Sequence, residues 1–127
     1  MVFEFISESR FHHIDKLEPG PPNVYFMDVF TSEKSNSNKD PLTGSMFLLE
    51  HSETNDPAPK YDYDETGVVV KGELHIADET GNKQVLVPGD TFFIHRGSLI
   101  TFSTPKFAVA YKTAARVGHV SQPKAKI

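Results

Sequence analysis

The sequence predicts an all-β domain, a sandwich or a barrel, on three observations. Short apolar segments, each about the length of one strand, recur along the chain, and helical periodicity is scarce. The nine prolines and eight glycines fall mainly between these segments, as they do where turns separate strands. At 127 residues the chain suffices for one domain with a well-buried core, so we expect no second domain.

The first two strands are separated by a polar segment. A turn over 18–23, rich in proline, precedes the apolar run 24–30, which reads as a strand. Residues 31–43 are rich in Ser, Asn and Lys, and we interpret them as a mobile loop that is either a lid or functionally irrelevant. The strand over 44–51 follows, with apolar residues on both of its faces.

The later strands are separated by turn signals. Segments 66–77 and 84–87 flank Gly81-Asn82, a pair that suits a hairpin. Three further apolar segments predict strands over 91–94, 99–102 and 107–111. The domain is thus expected to comprise N-terminal strands and the polar loop over 1–43, the barrel over 44–116 and a loose tail over 117–127.

Composition excludes several classes of function. The net charge is −4 and no run of Lys or Arg is present, so we expect neither a nucleic acid nor a membrane as partner. The chain has no cysteine and therefore no disulfide, thiolate metal site or cysteine nucleophile. No apolar run reaches membrane-spanning length and no signal peptide is evident, so a cytoplasmic location is the expectation.

Two spaced motifs resemble those of the cupin superfamily. The first cupin motif has a pair of metal-binding histidines, then a glutamate and a glycine, and here Glu65 and Gly72 match it. The second has a glycine turn, a proline-glycine turn and a closing histidine, and here Gly89 and Gly97 match it. The histidines do not match: the positions hold Pro59, Tyr61 and Ile100.

Within the cupins, the region 44–116 is similar to the EutQ-type proteins of ethanolamine utilisation. The resemblance implies a single-domain double-stranded β-helix, or jelly-roll barrel, with a pocket in one mouth, and a homodimer. That branch is linked to ethanolamine metabolism and acetate-kinase-like activity. We do not transfer this activity, because the sequence lacks a phosphate-binding glycine loop and has His95 where the second motif has proline.

Three polar residues form the candidate catalytic group. Tyr61, Tyr63 and Glu65 alternate, so on one strand all three point to one face, which in a cupin is the barrel interior. A carboxylate among aromatic rings is suited to general acid–base work, and phenol hydroxyls can stabilise an oxyanion or enolate. Alternatively, Glu65 holds neighbouring backbone in place and the tyrosines are core residues.

Histidines offer a second acid–base group or an alternative site. His51 or His95 is the candidate for that group. Together with Glu65 and a tyrosine, His51 and His95 could also hold a divalent metal. Each of these histidines, taken alone, is more typical of a surface residue. We therefore expect no metal or other cofactor.

Aromatic residues complete the predicted pocket. Phe47, Phe93, Phe102 and Tyr111 lie on strands that in cupins line or close the barrel. They favour a small ligand that is partly apolar or aromatic.

The leading hypothesis is thus a non-redox enzyme of the lyase, isomerase or cyclase type. The alternatives are a cupin that binds a metabolite or partner without catalysis, and a metal-dependent oxygenase or lyase with an altered ligand set. We also expect Phe3, Phe5 and Phe11 on N-terminal strands to favour pairing between two subunits.

Overall fold

The computed structural model describes residues 3–33 and 39–119, and in this part of the chain eight strands form two antiparallel sheets. A 3-10 helix, Glu8–His12, comes before the first strand. The strands are β1 (Val24–Thr31), β2 (Thr43–Glu50), β3 (Glu65–Gly72), β4 (Leu74–Ala77), β5 (Lys83–Leu86), β6 (Thr91–Ile94), β7 (Thr101–Ser103) and β8 (Phe107–Ala114). The all-β prediction is confirmed.

The last strand lies at the centre of the larger sheet. The order in that sheet is β1-β2-β8-β3-β6, and the smaller sheet has the order β5-β4-β7. β8 pairs along its full length with β2, and it also pairs with β3. Because β8 crosses the middle of the sheet, its inward-facing side chains lie in the centre of the barrel.

Two apolar clusters lie on opposite faces of the larger sheet. The inner cluster fills the space between the sheets and contains Phe47, Leu49, Val69, Leu74, Leu86, Ala108 and Ala110. The outer cluster contains Ile14, Val29, Met46 and Val109, with Phe11 and Tyr111 packed against it. Successive β8 residues, such as Ala108 and Val109, therefore belong to different clusters, as strand alternation requires.

The predicted strand 66–77 is two strands in the structure. Gly72 has φ +77°, a conformation that L side chains rarely adopt. A Cβ at this position would also collide with the carbonyl oxygen of Phe107. The chain turns here, so β3 belongs to the larger sheet and β4 to the smaller one.

The prediction of strands before residue 24 was wrong. Residues 3–7 form no regular structure, and Phe11 belongs to the 3-10 helix. Phe3 and Phe5 are 75% and 74% exposed. The helix places Phe11 on the outer cluster, so its apolar side chain is partly covered without a partner strand.

The edge of β1 is covered by the segment just before it. The amide of Phe26 donates to the carbonyl oxygen of Asp15, and the amide of Leu17 donates to that of Val24. Lys16 and Tyr25 form an isolated antiparallel bridge. The N-terminal segment thus satisfies backbone groups on the side of β1 that faces away from β2.

Two other predictions fall partly on residues that the structure does not describe. The ends of the predicted loop 31–43 belong to β1 and β2, and its central residues 34–38 lie outside the described residues. Of the predicted loose tail, 120–127 also lie outside them. The amides of Gly118 and His119 donate to Thr31 and Asp28, so this part of the tail is held against β1. Within the described residues no helix has the length and apolar character to cross a bilayer.

Candidate active site

A buried ion pair lies inside the barrel, between β3 and β8. The Nζ of Lys112 is 3.9 Å from the Oε2 of Glu65, and their side chains are 4% and 2% exposed. β3 and β8 are neighbours in the sheet, and Glu65 pairs with Ala114, two residues from Lys112 on the same face. The other inward residues of β8 are alanines, so Lys112 is the long side chain that β8 directs into the barrel.

Aromatic rings surround the lysine ammonium group. Nζ is 3.8 Å from the centroid of Phe47 and 4.1 Å from that of Phe102, and Phe26 is farther away at 5.8 Å. Burial lowers the pKa of Lys112; the charge of Glu65 opposes this change and that of Arg116 adds to it. The lysine is therefore held by a carboxylate and ring faces in surroundings that disfavour its charge.

One oxygen of Glu65 is unsatisfied. Oε2 is buried and has no hydrogen-bond partner, although the Lys112 ammonium group lies nearby. A buried polar atom without a partner costs on the order of 1–3 kcal/mol, and more when the group is charged. Such an atom is rare in a folded protein and calls for an explanation.

Two phenols lie beside the carboxylate. Tyr61 is 7% exposed, and its ring meets that of Tyr63 edge-on at a centroid distance of 5.4 Å. Burial raises the pKa of Tyr61, and the Glu65 carboxylate raises it further through its charge and a side-chain hydrogen bond. Burial and then the charge of Glu65 also raise the pKa of Tyr63, while Arg116 acts in the opposite direction. Both hydroxyls thus stay protonated at neutral pH.

The phenols reach this position from a segment before the strand. β3 begins at Glu65, so the expectation that all three polar residues share one strand was wrong. The backbone of Tyr61 instead bonds to the loop after β6: its amide donates to Ser98, and its carbonyl oxygen accepts from Gly97. The structure nonetheless brings Glu65, Tyr61 and Tyr63 together as predicted.

A second ion pair supports Tyr63. Arg116 donates to both carboxylate oxygens of Asp28 at 2.8 Å, and its guanidinium carbon is 5.3 Å from the centre of the Tyr63 ring. The hydroxyl of Ser45 and the amide of His119 also donate to Asp28. Burial alone would raise the pKa of Asp28, but the hydrogen bonds from Arg116, Ser45 and His119 outweigh it and hold the pKa at about 2.

The two predicted histidines are not in this group. His51 follows the end of β2 that pairs with Phe107, whereas Glu65 pairs with Ala114 at the other end of β8. Seven residues of extended strand separate these ends by about 23 Å. His95 is exposed, and its ring contacts Phe93, which is itself 55% exposed.

The four aromatic residues predicted to line the pocket do not all lie in the barrel interior. Phe47 and Phe102 lie over Lys112, in the barrel interior. Tyr111 lies next to Lys112 in β8 and therefore points to the opposite face, where it packs on the outer cluster. Phe93 is on the surface. The structure thus brings two of these four aromatic residues to the site.

Lys112 was missed by sequence reasoning because β8 was expected to end at residue 111. The strand continues to Ala114, where β2 and β3 both supply partners. The missed signal was the alternation of Ala108, Ala110, Lys112 and Ala114, in which a single lysine shares a face with three alanines. A lysine at such a position points into the core.

The side chains around Glu65 do not form a set of ligands for a metal ion. In residues 3–33 and 39–119, no three side chains of His, Asp or Glu come together as ligands. The Glu65 carboxylate faces the Lys112 ammonium group, which would repel a cation at the same place.

Three members of the acid–base group, Tyr61, Glu65 and Lys112, are buried, and Tyr63 is half-buried. A cleft of about 520 Å³ is lined by parts of β4, β5 and β6 and by Ile100, and its lining residues Ile94 and Ile100 belong to the same buried cluster as Tyr61. None of Tyr61, Tyr63, Glu65 and Lys112 lines it. A ligand would therefore need some movement of the surrounding segments to reach Glu65.

One family of known proteins matches most of the chain. The family described as ethanolamine utilisation protein EutQ matches residues 4–114. The chain belongs to the EutQ family. The resemblance to EutQ-type cupins is thereby confirmed.

Curated proteins and solved structures are similar to this chain. A Clostridioides difficile protein named acetate kinase EutQ is 35% identical over 96 residues, which cover 74% of this chain and 56% of the relative. The chain thus spans about half, or less, of the curated relatives that it matches. A Salmonella typhimurium ethanolamine utilization protein Q crystal structure has a TM-score of 0.65 at 24% identity, covering 83% of this chain and 80% of that one. An RmlC-like cupin from Shewanella frigidimarina has a TM-score of 0.61 at 16% identity, covering 86% of both chains, and shares the fold.

The buried pair should show strong coupling in a double-mutant cycle. Lys112→Met leaves a buried carboxylate without its cation, and we expect the free energy of unfolding to fall by about 3–5 kcal/mol. Glu65→Gln should also destabilise, but the double variant should lose clearly less than the sum of the two, because neither charge remains. Urea unfolding measures all four proteins. Strictly additive losses would contradict the ion pair, and Glu53→Gln, whose side chain is 96% exposed, is the control.

The ion pair between Asp28 and Arg116 should make the free energy of unfolding depend on pH in the acid range. The pKa of Asp28 falls from 3.8 to about 2 on folding, so its contribution is complete above the unfolded value and disappears as pH falls towards 2. The shift corresponds to about 2 kcal/mol. We expect Asp28→Asn to flatten the decline in unfolding free energy between pH 5 and pH 2, as measured by denaturant titration. An unchanged slope would show that Asp28 is not the responsible group, and the exposed Asp56→Asn serves as control.

Proposed function

We propose that this protein is an enzyme that moves a proton on a small, partly apolar metabolite, in a reaction of the lyase, isomerase or cyclase type, without a metal. The observation that carries the proposal is the buried Glu65, whose Oε2 has no hydrogen-bond partner and lies 3.9 Å from the Nζ of Lys112. An unsatisfied oxygen is costly for stability, and a substrate proton or hydroxyl would supply its missing partner.

The surrounding groups supply complementary roles. Glu65 takes a proton from the substrate, and Lys112 balances the negative charge of the carboxylate. Tyr61 and Tyr63, whose hydroxyls are protonated at neutral pH, donate to an oxyanion or enolate as it forms. Phe47 and Phe102 favour an apolar part on the ligand. His51 and His95 have no role in this scheme.

A non-catalytic binding protein is the second candidate, because Tyr61, Glu65 and Lys112 are buried in the present conformation. In that case the interior would hold a metabolite that the protein presents or stores. The name acetate kinase, carried by longer relatives, adds phosphoryl transfer to acetate as a reaction to include in any assay.

Proton exchange tests the enzymatic proposal without knowledge of the natural substrate. The protein is incubated in deuterated water with small ketones, aldehydes and carboxylic acids, and loss of the α-proton signal is followed by NMR. We expect catalysed exchange for at least one compound, and Glu65→Gln should slow it about 10²–10⁴-fold, the usual contribution of general base catalysis. Glu53→Gln should leave the rate unchanged.

Several outcomes would overturn this proposal. One is catalysed exchange at the same rate in Glu65→Gln and the unchanged protein. Others are a stoichiometric metal in protein purified without a chelating tag, and turnover of acetate with ATP that does not depend on Glu65. A metabolite that survives purification and is never turned over would favour the binding protein.

A homodimer, and a cytoplasmic location, are part of the same proposal. Phe3 and Phe5 expose most of their side chains, and burying them between two copies would remove this apolar surface from water. Light scattering of the purified protein should give the mass of a dimer, and Phe3→Ser with Phe5→Ser should shift the population towards monomer. A monomeric mass for the unchanged protein would contradict the dimer.

A further inference from the structure

Lys112 has the surroundings of a lysine nucleophile, and we propose that it forms a Schiff base with a small, uncharged aldehyde or ketone. The inference rests on the proposed function, since it concerns the same interior site, and it names the substrate class and a covalent step.

The position of Lys112 sets it apart from the other lysines. It is the only buried lysine in residues 3–33 and 39–119; those at 16, 39, 60, 71, 83 and 106 are exposed. Burial also lowers the pKa of Lys112, which increases the share of neutral amine near neutral pH. Nucleophilic lysines are typically activated by such desolvation.

The neighbours of the amine suit an imine. Phe47 and Phe102 flank Nζ and exclude water, which would otherwise hydrolyse the product. The adjacent Glu65 disfavours a substrate that carries its own carboxylate at the reacting end. An uncharged carbonyl compound with a short apolar group matches both features.

The unpartnered oxygen of Glu65 supplies the proton transfers. The Lys112 ammonium group gives one proton to Oε2, and the neutral amine then attacks the carbonyl carbon to form a carbinolamine. As the C–N double bond forms, the carbinolamine C–O bond breaks, and its oxygen leaves as water with the proton returned from Glu65. The sum is an ammonium group and a carbonyl compound giving an iminium ion and water, with Glu65 ending as the carboxylate. The same carboxylate can then remove the acidified α-proton, which is the step of the proposed function.

Reductive trapping tests the covalent step in the unchanged protein. The protein is incubated at neutral pH with propanal or butanone at low concentration and with cyanoborohydride, and the modified lysines are identified by peptide mass spectrometry. We expect Lys112 to be alkylated at least about tenfold faster than Lys106, because Lys112 is desolvated and Lys106 is exposed. The labelling of Lys106 is an internal control.

Variants separate the roles of the two charged groups. Lys112→Arg keeps a cation near Glu65 but removes the nucleophile, so selective labelling and proton exchange should both be lost. Glu65→Gln should slow trapping at Lys112 while labelling of Lys106 stays unchanged.

The inference and the proposed function fail in different ways. Labelling that is absent from Lys112, or equal at Lys112 and Lys106, overturns the Schiff base. If proton exchange still depends on Glu65, the proposed function survives that result. If neither exchange nor trapping occurs, both are overturned.

Discussion

The buried ion pair between Lys112 and Glu65 is the main constraint on the interior of this barrel. Two opposite charges lie beside apolar side chains in the barrel interior, and each is costly to bury without the other. Replacing a buried ion pair by apolar residues of similar volume is often neutral or stabilising. A chemical role therefore explains the pair better than a contribution to stability does. The unsatisfied carboxylate oxygen of Glu65 supports the same explanation.

The central position of β8 connects this pair to the rest of the fold. The strand carries Lys112, and the residue two positions after its end, Arg116, reaches both Asp28 and the ring of Tyr63. β8 also separates the inner cluster from the outer one by alternation of its side chains. A distortion of this strand would therefore disturb the core and both ion pairs together.

The sequence was sufficient for the fold class, the family resemblance and most strand positions, because turn residues and apolar runs mark them directly. Glu65 was identified because it matches the cupin motif. Lys112 could not be recognised once β8 was ended at residue 111, since its direction depends on pairing with β2 and β3. His51 was a candidate at the end of the predicted strand 44–51, and its distance along the barrel from Glu65 required knowledge of the register.

The cover over β1 has a consequence for the behaviour of the protein in concentrated solution. An uncovered strand at the border of a sheet offers amides and carbonyls to other molecules and can seed ordered aggregates. Here the segment around Asp15 and Leu17 already occupies those groups. If a protease removed this segment, the edge of β1 would be exposed and could pair with other molecules while the barrel is still folded.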